Sequence, residues 1–151
     1  MNINCSVKLI DFGSTEYLEM VDLRREILRL PLGLDFSEED LNKDNKSKLF
    51  CCYNPKNELL GCCVVDIDPK NASVKVRQMA VFTLFQNKGI GSLLIRSVEG
   101  FAKEVKINRI YLHARKIAVG FYEKQGYSVC SDEFIEVNIP HFVMEKGINL
   151  E

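Results

Sequence analysis

Val74-Lys75-Val76-Arg77-Gln78-Met79-Ala80-Val81, with Gln86-Asn87-Lys88-Gly89-Ile90-Gly91 close behind, joins a strand to a helix through a turn whose backbone amides are left bare. Val74 and Val76 keep one parity of the strand and Met79 and Val81 the other, so the period of two slips by one residue around Arg77-Gln78. Such a slip reads as a β-bulge, in which an extra residue splays a strand from its neighbour. The splay frees backbone N–H and C=O groups, and an interior strand tolerates this only where a ligand or water takes them. Downstream, Gly89 and Gly91 let backbone approach a bulky anion, and the first-turn amides point at it with the positive end of the helix dipole behind them. The ligand implied has an amide-bearing arm and a phosphate group.

On either side of this stretch the pattern is regular. Ile3, Cys5, Val7 and Leu9 alternate as a strand; Ser14 or Thr15 caps a helix marked by Met20, Leu23, Ile27 and Leu30 and ended by Pro31 and Gly33. Ser37 with Asp40 forms a capping-box-like start for a short helix reaching about Asp44. Lys48–Tyr53 and Leu59–Asp68 flank the turn Asn54-Pro55-Lys56-Asn57 as a hairpin. After Gly89, the residues Ile90, Leu94, Val98, Phe101 and Val105 mark one face of a long helix. Ile110, Leu112 and Ala114 alternate in a short strand, Ile117–Gln125 reads as a helix with Gly126 at its C′ position, and Tyr127–Val129 and Phe142–Glu145 close the sheet. Antiparallel strands followed by strand–helix alternation predict an α/β (α+β) fold, a mixed, mostly antiparallel sheet of about seven strands with a bulged central strand and helices on both faces.

The 151 residues, without a Pro/Gly/Ser-rich linker or repeat, fit one domain spanning 1–151. Twenty basic against twenty-one acidic residues give a net charge of -1, which supplies no basic field for nucleic acid or an anionic membrane. No signal peptide and no apolar run near the roughly 20 residues of a membrane helix are visible, so the expectation is a soluble, cytoplasmic protein. Six cysteines include the adjacent pairs Cys51-Cys52 and Cys62-Cys63, which lack metal-site spacing and read as small reduced hydrophobes on opposite faces of a sheet. No metal is expected.

Gln86-x-x-Gly89-x-Gly91 after the slipped strand resembles the pyrophosphate loop of the GCN5-related N-acetyltransferase (GNAT) family, and Ala118-x-x-Phe121-Tyr122-Glu123-Lys124-x-Gly126-Tyr127 resembles its second half-site. The segments Leu23-Arg24-x-x-Ile27-Leu28-Arg29-x-Pro31-Leu32-Gly33 and Phe134-Ile135-Glu136-x-x-Ile139-Pro140-His141-x-x-Met144 are similar to the bacterial ElaA-like and YjcF-like subgroup. The resemblance implies that the bulged strand and the strand around Ile110–Ala114 diverge into a V holding the pantetheine arm of acetyl-CoA as co-substrate. It implies that Met79, Ala80 and Val81 bond the arm, that amides over Gln86, Asn87, Lys88, Gly89, Ile90, Gly91 and Ser92 hold the pyrophosphate, and that Phe121 lines the cofactor. Close helix packing is the plain alternative for the glycines, as solvation is for Lys88.

Acetyl transfer needs a neutral amine, donors for the oxyanion and an acid for the leaving thiolate. An amide of Met79 or Val81 is the candidate oxyanion donor. Tyr122 is the candidate acid: a phenol with a pKa of about 10 keeps its proton at neutral pH, and family tyrosines at this place often have that role. Half-buried packing is its plain alternative. Glu136 and His141 are alternative bases, His113 is placed to line the cleft, and Arg24, Arg29 and Arg77 are candidates for shaping the acceptor site or for ordinary ion pairing. The acceptor expected is a primary amine of a small molecule or peptide, and a homodimer is compatible with the family's frequent dimers. A non-catalytic acyl-CoA-binding module is the competing reading. A nucleotide-phosphate binder is disfavoured, since the loop lacks a Gly-Lys-Ser/Thr ending.

Overall fold

Ser14 starts the first helix as expected, its hydroxyl accepting from the Tyr17 N–H at 3.1 Å. The computed structural model describes residues 4–151. Along the chain run β1 (Ser6–Ile10), α1 (Thr15–Arg24), α2 (Glu38–Asn42), β2 (Lys48–Tyr53), β3 (Leu59–Asp68), β4 (Ser73–Val81), α3 (Ile90–Glu104), β5 (Arg109–Arg115), α4 (Val119–Lys124), β6 (Ser128–Val129), β7 (Phe134–Glu136) and β8 (Ile139–Gly147). The strands form one sheet ordered β1-β2-β3-β4-β5-β8-β6, with β7 paired to β8. Among the described residues, only β4 and β5 pair in parallel; the other pairs are antiparallel. The predicted mixed sheet is present, with one strand beyond the seven expected. The alternating residue Ile3 lies outside the described residues.

Helices cover both faces. One core packs α3 and Tyr122 of α4 against the sheet through Ile90, Leu94, Ile95, Val98 and Ala102, while the other packs Tyr17, Met20, Val21 and Leu23 of α1. Each such aliphatic side chain contributes about 1.5–3 kcal/mol by leaving water. Phe101 is partly buried, but Val105 is exposed, because the helix ends at Glu104 and Val105 is its C-cap. The first helix is shorter than its apolar spacing predicted. It relaxes into a π turn over Arg25–Arg29 and a 3₁₀ turn over Leu30–Leu32, where Pro31 withholds an N–H, and Gly33 closes it at φ 71. The capping box at Ser37 and Asp40 is formed.

The strand not foreseen is β7. Its turn to β8 is Val137-Asn138, both at positive φ (46 and 66). A two-residue turn with both residues in the left-handed region suits a β-hairpin, but valine is a poor residue for it, so the sequence carries no hairpin signal there.

Buried Asp44 joins three elements: its carboxylate accepts from the Tyr17 hydroxyl (2.7 Å), Arg24 (2.8 Å) and Arg77 (2.9 Å), and Arg77 also pairs with Asp66 at 2.7 Å. Asp44→Ala leaves Arg24 buried without a counterion and Arg77 with Asp66 alone, so urea unfolding should show a loss of about 3–5 kcal/mol. The adjacent cysteines behave as predicted: Cys51 and Cys62 sit opposite each other on the α1 face, Cys52 and Cys63 on the α3 face, all fully buried and unbridged. Burial pushes the Cys51 and Cys52 thiols up to about 12 and raises Cys62 and Cys63 too. A thiol reagent should therefore modify exposed Cys130 rapidly and half-buried Cys5 more slowly, with the other four reacting only after denaturation. Rapid native modification at Cys51 or Cys62 would contradict this packing.

Candidate active site

The register of β3 on β4 locates the bulge. Between the pairs Val64↔Arg77 and Cys62↔Ala80, β3 advances two residues and β4 three, so Gln78 and Met79 together face Cys63. Gln78 takes φ 55, a left-handed conformation that costs a non-glycine residue about 1–2 kcal/mol. Val74 and Val76 before the bulge and Met79 and Val81 after it then all face α3, which accounts for the slipped period. Pairing of β4 with β5 ends at Val76↔Leu112, although β4 continues to Val81 and β5 to Arg115. Beyond that point the strands part around a cavity of about 690 Å³.

At one end of the cavity is the start of α3. Gly89, at φ 87, is its N-cap without a side-chain cap, so the amides of the first turn have no side chain bonded to them. Gly91 has a different reason to be glycine: a Cβ there would come 3.0 Å from the Phe121 ring. Here close packing and an open helix start coexist. Gln86 reaches back to donate to the Val81 carbonyl at 3.0 Å, which occupies one backbone group that the sequence reading left free. Lys88 is exposed and stands outside the cavity lining.

Tyr122, in α4, lines the cavity from within the core, 6% exposed, its ring edge-to-face with Phe121 (4.9 Å) and Tyr127 (6.0 Å). Burial raises its pKa well above the ordinary phenol value, so the hydroxyl is a neutral donor.

The other end is built by the turns after α1, by β5 and by the β7–β8 hairpin. His113 meets the Glu136 carboxylate at 2.8 Å, and both line the cavity. His141 is buried with Nδ1 2.9 Å from the Ile139 carbonyl, a bond that requires a proton on Nδ1 and leaves the Nε2 lone pair free in the neutral ring. Phe134 lies between the two histidines, 5.2 Å from one ring and 5.9 Å from the other. Met79, Ala80, Val81, Gln86, Asn87, Gly89, Ile90, Gly91, Ser92, Phe121, Tyr122, Arg77, His113, Glu136 and His141 thus share one cavity.

Two predicted acceptor residues are committed elsewhere. Arg24 is fully buried against Asp44 and does not line this cavity, and Arg77 reaches its rim while paired to Asp44 and Asp66. The acids that claim them are distant in sequence, so their pairing is invisible there. Gln78 and Arg115 were missed. Gln78 sits at the slip itself, its buried Oε1 without a partner, and Arg115 continues the Tyr111-His113 parity, a signal that was available.

Residues 34–148 match the acetyltransferase (GNAT) domain family. The uncharacterized N-acetyltransferase YjcF of Bacillus subtilis is 32% identical over 78 residues, 51% of this chain and 56% of YjcF. The chain spans about half the length of the curated relatives it matches. A crystal structure of a putative N-acetyltransferase from Lactobacillus plantarum shares the fold at TM-score 0.85 and 16% identity, covering 97% of this chain and 99% of that one. Escherichia coli ElaA shares it at TM-score 0.77 and 15% identity, covering 94% and 99%. By fold, by bulged strand and by family match, the chain belongs to the GNAT acetyltransferase family.

Proposed function

We propose that this single-domain chain transfers an acetyl group from acetyl-CoA directly to a primary amine of a small molecule or peptide. The observation that carries this reading is the parting of β4 and β5 past Val76 and Leu112, which opens a cavity running to the uncapped start of α3. A pantetheine arm fits between the strands as a surrogate strand, bonding backbone groups of Met79 and Ala80, and the pyrophosphate sits on amides from Gly89 to Ser92. The amine, neutral at the moment of attack, adds to the thioester carbonyl, and an amide at the bulge receives the oxyanion. His113, held by Glu136, takes the proton from the amine. As the C–S bond breaks, Tyr122 gives its proton to the sulfur. A phenol with a raised pKa is not too weak for this, because a thiolate born in the same dry cleft has its basicity raised by the same burial. A non-catalytic acyl-CoA binder would keep the loop and the cavity without needing Tyr122 at the wall.

Thiol release from acetyl-CoA with a panel of amines tests both readings. Tyr122→Phe should lower kcat by about 10²–10⁴-fold with acetyl-CoA still bound. In the wild type, burial raises the phenol pKa, so its proton stays on through the ordinary range; kcat should not decline from loss of this acid until above about pH 10. Full turnover by the phenylalanine variant would remove the tyrosine from the chemistry.

A further inference from the structure

We propose that Arg29 and Arg115 form an anion site at the acceptor end of the cavity, so that the amine accepted by this protein carries an acid group, a carboxylate or a phosphate. This rests on the acetyl-transfer reading above and narrows its substrate class.

Both guanidiniums line the cavity, and both donate to the same atom: the Leu28 carbonyl accepts from Arg29 at 3.1 Å and from Arg115 at 2.9 Å. Two like charges are thereby drawn together at the end of the π turn. Among the described residues, neither meets a carboxylate within ion-pair distance. The acids that act on Arg29 across space, Asp40 and Glu136, are engaged elsewhere, Asp40 in the capping box with Ser37 and Glu136 with His113. Burial, then the charges of Arg115 and Arg24, pull the Arg29 guanidinium below its ordinary pKa, and burial does the same to Arg115. A bound oxyanion reverses this penalty, and the guanidinium fork suits two-oxygen acceptors such as carboxylate and phosphate.

The surroundings agree. Arg24 and Arg29 both stack on Phe36, at 4.9 and 4.7 Å, and the Arg24 Nε is buried without a partner. These residues line a smaller cavity of about 430 Å³ that shares Arg29, Arg77, Gln78 and Val137 with the large one. The buried Gln78 Oε1, also unpartnered, is an acceptor for an N–H at the same junction. Donors for an anion and an acceptor for an amine therefore lie side by side. The coenzyme's pyrophosphate is not the anion concerned, because Arg115 projects from the β5 face opposite Leu112 and Ala114, which pack in the α3 core.

The test uses the full chain with three matched pairs: glycine and glycinamide, L-alanine and L-alaninamide, O-phosphoethanolamine and ethanolamine. Thiol release is corrected for the fraction of neutral amine, and binding to the CoA-loaded protein is measured by calorimetry. In at least one pair the acid-bearing member should lead in kcat/KM by about tenfold or more; the pair that does so distinguishes carboxylate from phosphate. Arg29→Gln and Arg115→Gln should each collapse that ratio while acetyl-CoA still binds, and Arg29→Lys, which keeps the charge and loses the fork, should restore part of it. Equal rates within every pair would overturn the anion site and leave acetyl transfer standing. No turnover, with arginine-dependent binding of an acid-bearing amine, would keep the site and remove the transfer reading. Neither turnover nor such binding overturns the site, as does loss of acetyl-CoA binding in the glutamine variants.

Discussion

One extra residue in β4 sets the geometry of the rest. A regular ladder between β4 and β5, kept in the register Val76↔Leu112, would run on to Met79 and Arg115 and fill the centre of the sheet with backbone hydrogen bonds. Inserting Gln78 turns β4 away from β5 after Val76, and the groups freed face a cavity instead of a strand. The insertion is unfavourable taken alone: a glutamine at φ 55 is strained, and its buried Oε1 lacks a partner at a cost of about 1–3 kcal/mol. Strain of this size persists only where neighbours over-determine it.

Arg77, the residue before the bulge, supplies that determination. Its guanidinium is held by Asp66 on β3 and by Asp44 after α2, and Ser47 donates to the same Asp66. Asp44 in turn takes Arg24 and Tyr17 from α1. The network therefore fixes the kink in β4 and the position of α1 relative to it in one set of charge-assisted bonds. Arginines that look available to a ligand are spent on holding the site open. Arg29 and Arg115, which lack such acids, are the charges left over.

What the sequence made legible was local. The slipped parity of Val74, Val76, Met79 and Val81, the Gly89 turn, the capping box at Ser37 and the alternation of β5 each lie within about ten residues, where period and turn chemistry carry the signal. The features it hid depend on distant partners or on strain. Nothing near Arg24 announces Asp44, 20 residues on, and nothing near Arg77 announces that it shares that same acid. The β7–β8 hairpin was hidden because Val137 adopts φ 46, which its side chain disfavours; the turn forms because the strands on either side pair, and it delivers Glu136 to His113. For Gly91 the sequence allowed two roles, and the Phe121 ring against it shows that packing is one of them.

In the proposed transfer, burial governs how the cleft performs acid–base work. An exposed tyrosine would hold its proton at neutral pH equally well, but a thiolate leaving into water would have little need of it. Inside the cleft, Tyr122 is surrounded by Phe121, Tyr127 and the α3 core, so charge on either oxygen or sulfur is penalised. The two penalties raise both pKa values and largely cancel in the transfer between them. In the proposed transfer, what remains is the benefit of placing a donor beside the sulfur before the bond breaks. The end of the cavity proposed for the acceptor is lined by side chains tied to named partners: His113 to Glu136, His141 to the Ile139 carbonyl, Arg77 to Asp44 and Asp66. In the proposed transfer, polar groups that meet the substrate act best when oriented in advance, and these bonds orient them.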